Sequence, residues 1–388
     1  MAVVFIVALA GTVYAETQFK IGGDARIRGV YQKNYDFNAD SKNDNRFYDY
    51  RIKLAFDATA DGGTAVHTRL VVTDWNEKWG TTATSQDSAS GSNGAAVEAD
   101  YAYIDVPLGK DLMLTAGKVV VNWGNKFMSW DARAMRIILG YKMGDTTIKA
   151  FTQKQVDTLG AADSATHDNL GDKDAYSVLA VHSTKALTVG GIYVYSKDDQ
   201  TKTDTSLNTF DVYGNFKAGA FGIFGELVYK TGDMLKGTLD GDDQSQYGGF
   251  AHATYALGNT TLHGAFAFAK NGYDADDDFT PTFLYGTSQV TGLLNFGNLG
   301  DTMAYVLAVD HNLTPDVNLM GKIAYAKISD YLAAETEASV TEFDLGLTYK
   351  INKSTTYNID LAYGKLGGDM GKDSDAAIAL ANRIQVNF

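Results

Sequence analysis

The sequence predicts an all-β chain of about 18 antiparallel strands, on three observations. Apolar and polar residues alternate with period two over many segments, short turns alternate with long polar connections, and the composition lacks the marks of other classes. In residues 45–60, Tyr48, Tyr50, Ile52, Leu54, Phe56 and Ala58 fall on one face. Phe47, Asp49, Arg51, Lys53, Ala55 and Asp57 fall on the other, as in a strand with one apolar and one polar side. The pattern recurs at Leu187, Val189, Tyr193 and Tyr195, at Phe221, Ile223, Leu227 and Tyr229, and at Val317, Leu319, Ile323 and Tyr325. It returns at Phe343, Leu345, Leu347 and Tyr349 and at Tyr357, Ile359, Leu361 and Tyr363. In 97–106 and 176–182 the phase is ambiguous.

Connections also alternate. Turn chemistry marks 60–63, 107–110, 143–145, 183–186, 217–219, 257–259, 312–315 and 351–354. Between them lie long polar segments at 36–44, 74–97, 121–133, 157–173, 197–206, 231–245, 271–301, 329–338 and 366–375. Eight short turns and nine long loops give 18 strands with both termini on the short-turn side; a miscount by one hairpin gives 16.

Composition narrows the class. The chain has 388 residues, 47 acidic and 33 basic side chains and a net charge of −14. No run of 18 apolar residues exists, which excludes a helical membrane protein. With no cysteine there are no disulfides, zinc ribbons or thiol nucleophiles. An acidic chain without a basic block argues against nucleic acid. A hydrophobic content of 45% is too high for disorder. Tyrosines at the ends of the apolar faces, such as Tyr48, Tyr195, Tyr229 and Tyr363, fit an aromatic girdle at lipid headgroups. The expected fold is therefore a transmembrane antiparallel β-barrel. A soluble sandwich or propeller would use shorter strands and more than 3 prolines.

Residues 1–15 read as a secretory signal peptide, apolar, too short to span a bilayer and ending in the A-x-A-like Val13-Tyr14-Ala15. No basic residue precedes the apolar run. The barrel then occupies 16–388 as one domain.

Signal peptide, alternating strands, short turns opposite long loops and a last strand ending Ile384-Gln385-Val386-Asn387-Phe388 resemble the outer-membrane porins of Gram-negative bacteria. The resemblance covers the whole chain after residue 15. It implies short periplasmic turns, long extracellular loops, outer-membrane lipid and lipopolysaccharide as surroundings, and a homotrimer. It also implies that Phe388 is the terminal aromatic presented to the barrel-assembly machinery. In that family the third loop commonly folds into the barrel. Carried onto 119–133, this puts Trp123, Lys126, Trp130, Asp131 and Arg133 at a constriction. The alternative is a loop over the rim with its tryptophans at the headgroups.

The alternation sends Lys20, Asp24, Arg26, Arg28, Asp49, Arg51, Lys53, Asp57, His67, Arg69, Arg136, Lys142 and Lys149 into the lumen. Inward acids on later strands include Glu226, Glu342, Asp344 and Asp360. Arg26, Arg28, Arg51, Lys53 and Arg69 share three consecutive strands and form either a ladder favouring anions or ion pairs with neighbours, such as Arg51 with Asp24 or Asp49. The acidic clusters Asp274, Asp276, Asp277 and Asp278, and Asp240, Asp242 and Asp243, read as solvated loops, with divalent bridging to lipopolysaccharide as the sharper alternative. No H-E-x-x-H, G-x-S-x-G, P-loop or C-x-x-C-H motif is present, so no catalytic residue, metal or cofactor is assigned.

The leading function is passive diffusion of small hydrophilic solutes or ions, with an anion bias. The alternatives are a barrel sheath around a periplasmic or electron-transfer partner and, third, an outer-membrane enzyme.

Overall fold

A computed structural model describes residues 17–34, 44–72, 77–78, 97–156, 172–199, 205–235, 245–281, 296–297, 300–329, 336–368 and 375–388. Residues 1–15 and the cluster at Asp240, Asp242 and Asp243 lie outside them. The strands in chain order are β1 (Gln18–Lys33), β2 (Asn45–Thr59), β3 (Ala65–Val71), β4 (Glu77–Lys78), β5 (Glu98–Pro107), β6 (Leu112–Trp123), β7 (Ser129–Met143), β8 (Thr146–Val156), β9 (Lys173–Ser183) and β10 (Leu187–Asp198). They continue as β11 (Thr205–Ala218), β12 (Phe221–Thr231), β13 (Ser245–Leu257), β14 (Thr260–Lys270), β15 (Asp301–Asn312), β16 (Val317–Ser329), β17 (Ala338–Lys350), β18 (Thr355–Gly368) and β19 (Ala377–Asn387).

Each strand pairs antiparallel with its sequence neighbours, and β19 pairs with β1 to close the sheet. The two-residue β4 pairs with Asp49 and Tyr50 of β2, beyond the end of the β2–β3 ladder, so β3 and β4 share one stave. The result is the expected closed barrel of 18 staves. Closure leaves no open edge, the condition for strands in lipid.

All eight predicted short turns are present on one rim. Strands such as β2 and β7, 15 residues each, exceed the ~9–11 needed to cross a bilayer and project beyond it. The outer face is apolar: Ile137, Leu139, Val178, Val212, Leu227, Leu307 and Leu345 are exposed there. Exposed aromatics flank this band, with Tyr141, Tyr255 and Tyr349 toward the short turns and Tyr48, Tyr176, Tyr229, Tyr325 and Tyr363 toward the other rim. Buried side chains lie on the inner face, which includes both charges and many alanines.

Two strands of ambiguous phase acquire a physical reason. In β5 a bulge between Arg69 and Leu70 of the partner β3 leaves Asp100 as an extra residue, so Asp100 and Tyr101 both turn inward. In β9 the inner face is itself apolar, with Ala175 and Leu179 buried, while Tyr176 and Val178 are exposed outside. Alternation cannot distinguish two apolar faces.

Candidate functional site

The lumen gathers the charged residues, and the strand register decides how. Between β1 and β2, Arg28 faces Asp49, Arg26 faces Arg51, and Asp24 faces Lys53. Arg28 grips the fully buried Asp49 with Nε at 3.0 Å and Nη2 at 2.5 Å from Oδ2. Arg51 Nη2 reaches Asp24 Oδ1 at 3.2 Å. The bulged Asp100 accepts from Arg69 and Arg133, and Lys53 Nζ stands 3.6 Å away. Arg133 also binds Asp131 at 2.7 Å, and Arg69 stacks 4.7 Å over Tyr101. Arg26, Arg28, Arg51, Lys53 and Arg69 therefore stand together on one wall, joined by Arg133, by Arg136 on β7 and by Arg383 on β19. The named cations outnumber Asp24, Asp49, Asp100 and Asp131. Asp24, Asp49, Asp100 and Asp131 thus take up part of this wall's positive charge as ion pairs.

The third long connection departs from expectation. The stretch 119–133 is not one long loop: the β-branched Val119, Val120 and Val121 continue β6, paired with Ala134, Arg133 and Ala132 of β7. Only 124–128 lies between the strands, so of the five expected constriction residues only Lys126 sits in the turn. Trp123 ends β6, and Trp130, Asp131 and Arg133 begin β7. A register shift between Val121 and Trp123 and positive φ at Gly124 (59°), Lys126 (76°) and Asp131 (50°) accompany the inward course of the hairpin.

Its tip reaches staves far around the barrel. Trp123 Nε1 donates to Asp211 on β11, and the amides of Asn125, Phe127 and Met128 donate to Glu226 on β12. Trp123 is buried against Leu179 and Ile192, not at the headgroups. Phe127 is fully buried among Phe250, Tyr273, Phe279 and Phe296. The segment 271–281 folds inward to meet it: Tyr273 Oη donates to the Phe127 carbonyl at 3.1 Å, and the Trp130 amide donates to Asp276 Oδ2 at 3.0 Å. Asp276 is thus occupied by the hairpin rather than solvated. Burial pushes the Asp276 and Asp278 carboxyls above their ordinary range and the Tyr273 phenol well above its own.

Inward alanines make this room. Ala267, Ala269, Ala304, Ala326 and Ala338 pack with Phe127, Tyr273 and Phe296 in one buried cluster. Sequence reasoning missed Asp100, Asp211, Phe127 and Tyr273. The signal for the last two is alanine at alternate positions, as at Ala265, Ala267 and Ala269 and at Ala324 and Ala326, which leaves an inner wall too small to fill itself.

Facing the basic wall, β11 to β18 carry inward Asp211, Glu226, Asp310, Glu342, Asp344 and Asp360. Lys322 on β16 stands among these acids, and Asp360 lies near Arg383 of the adjacent β19.

In sequence, residues 2–331 match the family of Gram-negative porins. The chain belongs to that family. No curated protein matches it. In fold, the porin is similar to solved structures from Pseudomonas aeruginosa, among them OpdQ, the outer membrane protein OprD and OccK8 (OprE). OpdQ superposes with a TM-score of 0.61 at 11% identity, covering 95% of this chain and 98% of its own. OprD gives 0.58 at 13%, with 97% and 96% covered. OccK8 (OprE) gives 0.59 at 11%, with 96% and 98% covered. The porin resides in the outer membrane and admits small solutes through its barrel. Family and fold are those of a channel rather than an enzyme.

Proposed function

We propose that this porin is a passive channel with no chemical step, whose lumen charge biases it toward small hydrophilic anions. The observation that carries the reading is the surroundings of Arg26, which faces Arg51 and lies beside Arg28 and Arg383. Positive charges crowded in a water-filled passage raise the local anion concentration. The formal charge of −14 pulls the other way, but charges on loops outside the passage are screened over about 10 Å at 0.1 M salt. Trp123, Lys126, Trp130, Asp131 and Arg133 serve the constriction in this reading, Lys126 directly and Arg133 through Asp100. Phe388 serves as the signal to the assembly machinery, the segment 1–15 as the export signal, and the assembled form is a homotrimer in lipid and lipopolysaccharide.

Reversal potentials in a salt gradient test the bias. The wild type should prefer anions at low salt and less so at high salt. Arg26→Gln with Arg383→Gln should move the potential toward cations without stranding Asp49 or Asp100. Cation preference in the wild type, or an unchanged potential in the double variant, would overturn the anion bias.

A further inference from the structure

The acidic wall holds a niche of about 390 Å³, bounded by inner faces of β12 to β16, the hairpin tip and residues 278–281. Two histidines on adjacent strands, His252 on β13 and His263 on β14, line it. Their rings meet edge to edge, with His252 Nε2 and His263 Nδ1 at 3.0 Å. One nitrogen of that contact must carry the proton and the other must accept it. The bond therefore requires at least one neutral imidazole.

The charged groups around the pair are few. From β15, Asp310 Oδ2 lies 2.8 Å from His263 Nε2, close in distance but too far off line for a hydrogen bond. From β16, Lys322 donates to the Pro281 carbonyl at 2.8 Å and stands 3.9 Å from Asp344 on β17. Asp278 and Lys126 line the niche from the two inward segments. From β12, Phe224 packs 4.4 Å from His252 and brings no charge; the next inward residue, Glu226, is held by the hairpin amides. With both imidazoles neutral, Lys126 and Lys322 face Asp278, Asp310 and Asp344. A proton taken up by the pair offsets part of that negative charge.

We propose that His252 and His263 form a titratable selectivity element: a neutral pair leaves the wall beside the constriction acidic, and a single proton taken up by the pair offsets that charge and shifts passage toward anions in acidic medium. Histidine is the side chain whose ordinary titration falls between about pH 5 and 8. The proposal rests on the charge-governed passage above.

The test is the reversal potential in a fixed salt gradient at about pH 7.5 and about pH 5, across the ordinary histidine range. The wild type should shift toward anions on acidification, and His252→Asn with His263→Gln should lose at least half of that shift. His311→Asn, exposed at the short-turn end of β15, should keep it. Asp278 and other acids titrate in the same direction, so the comparison between variants, not the wild-type shift alone, decides. If the double variant shifts as far as the wild type, the proposal is overturned. If the double variant yields no barrel, either single substitution should shift less than the wild type, and an equal shift overturns it. The Arg26 and Arg383 variants at the higher pH separate the failures: their effect persists if only the histidine proposal is wrong.

Discussion

Gly124 rests against the carboxylate of Glu226 so closely that a Cβ at Gly124 would overlap the carboxylate oxygens. The same glycine has φ +59°, a conformation costing other residues about 1–2 kcal/mol. Backbone freedom and close approach are both needed at this position, because the Glu226 carboxylate sits inside the turn and collects its amides.

Gly124→Val should therefore undock the hairpin tip while leaving the 18 staves intact. Without docking, the amides of Asn125, Phe127 and Met128 lose their acceptor, at about 1–3 kcal/mol for each donor left buried. The expected result is a larger and noisier single-channel conductance with unchanged heat-modifiable mobility. Glu226→Gln, which still offers one carbonyl oxygen, should show the same change in smaller measure. A conductance equal to that of the wild type would show that the tip does not narrow the passage.

The stave number and every short turn were legible in the sequence, because period-two alternation and turn residues are local signals. Arg26, Arg28 and Lys53 are buried and their neighbour Ile27 is exposed, in step with the same period. Asp100 was not legible, since a bulge adds one residue and breaks the parity that alternation relies on. Nor was the true extent of the third hairpin: Val119 to Val121 continue a strand, but the polar residues after them read as a loop. The partners of its tip, Asp211 and Glu226, lie some 90 to 100 positions later in the chain. Contacts of that separation leave no local trace except complementary vacancies, here the small inner alanines.

The inside–outside phase of β2 makes a paired prediction. Leu54 lies on the outer face opposite Leu70 of β3, while Lys53 is buried in the lumen near Asp100. Leu54→Arg puts a charge in the hydrocarbon band and should cost about 2–4 kcal/mol in a folding titration. Lys53→Leu should cost less, because Arg69 and Arg133 remain to hold Asp100. The reverse ranking would mean the two faces have been exchanged.

At the seam, the Phe388 amide donates to the Gly23 carbonyl at 3.0 Å and the Gly23 amide to the Phe388 carbonyl at 2.7 Å. A side chain on Gly23 would overlap the Lys53 carbonyl of β2 and come within 2.9 Å of the Phe388 ring. Deleting Phe388 removes both bonds where β19 meets β1 and exposes polar backbone at the lipid boundary. Gly23→Val keeps Phe388 but crowds both its ring and the β2 backbone. Both should lower the yield of heat-modifiable barrel, the deletion more than the substitution. Normal yield from the deletion would mean that closure is complete without the terminal pair.

The inward segment 271–281 supplies a pH prediction of definite sign. Burial raises the Asp276 and Asp278 carboxyls above their ordinary range, and each repels the other's charge. A carboxyl with a higher pKa when docked binds more protons docked than free, so docking weakens as pH rises through the docked value and strengthens as pH falls toward the ordinary one. The amide bonds from Trp130 and Asp278 to Asp276 oppose this in part, since they favour the charged form. The raised direction says that burial wins. Current fluctuations from transient undocking should then be fewer near the ordinary carboxyl range of about pH 4 than at neutral pH. Asp276→Asn keeps an acceptor for the Trp130 amide and carries no charge, so its fluctuations should be rarer at neutral pH and less sensitive to pH than those of the wild type. More frequent fluctuations in the variant would mean that the Asp276 charge is a tether, not a burden, and that the amide bonds outweigh the cost of burying it.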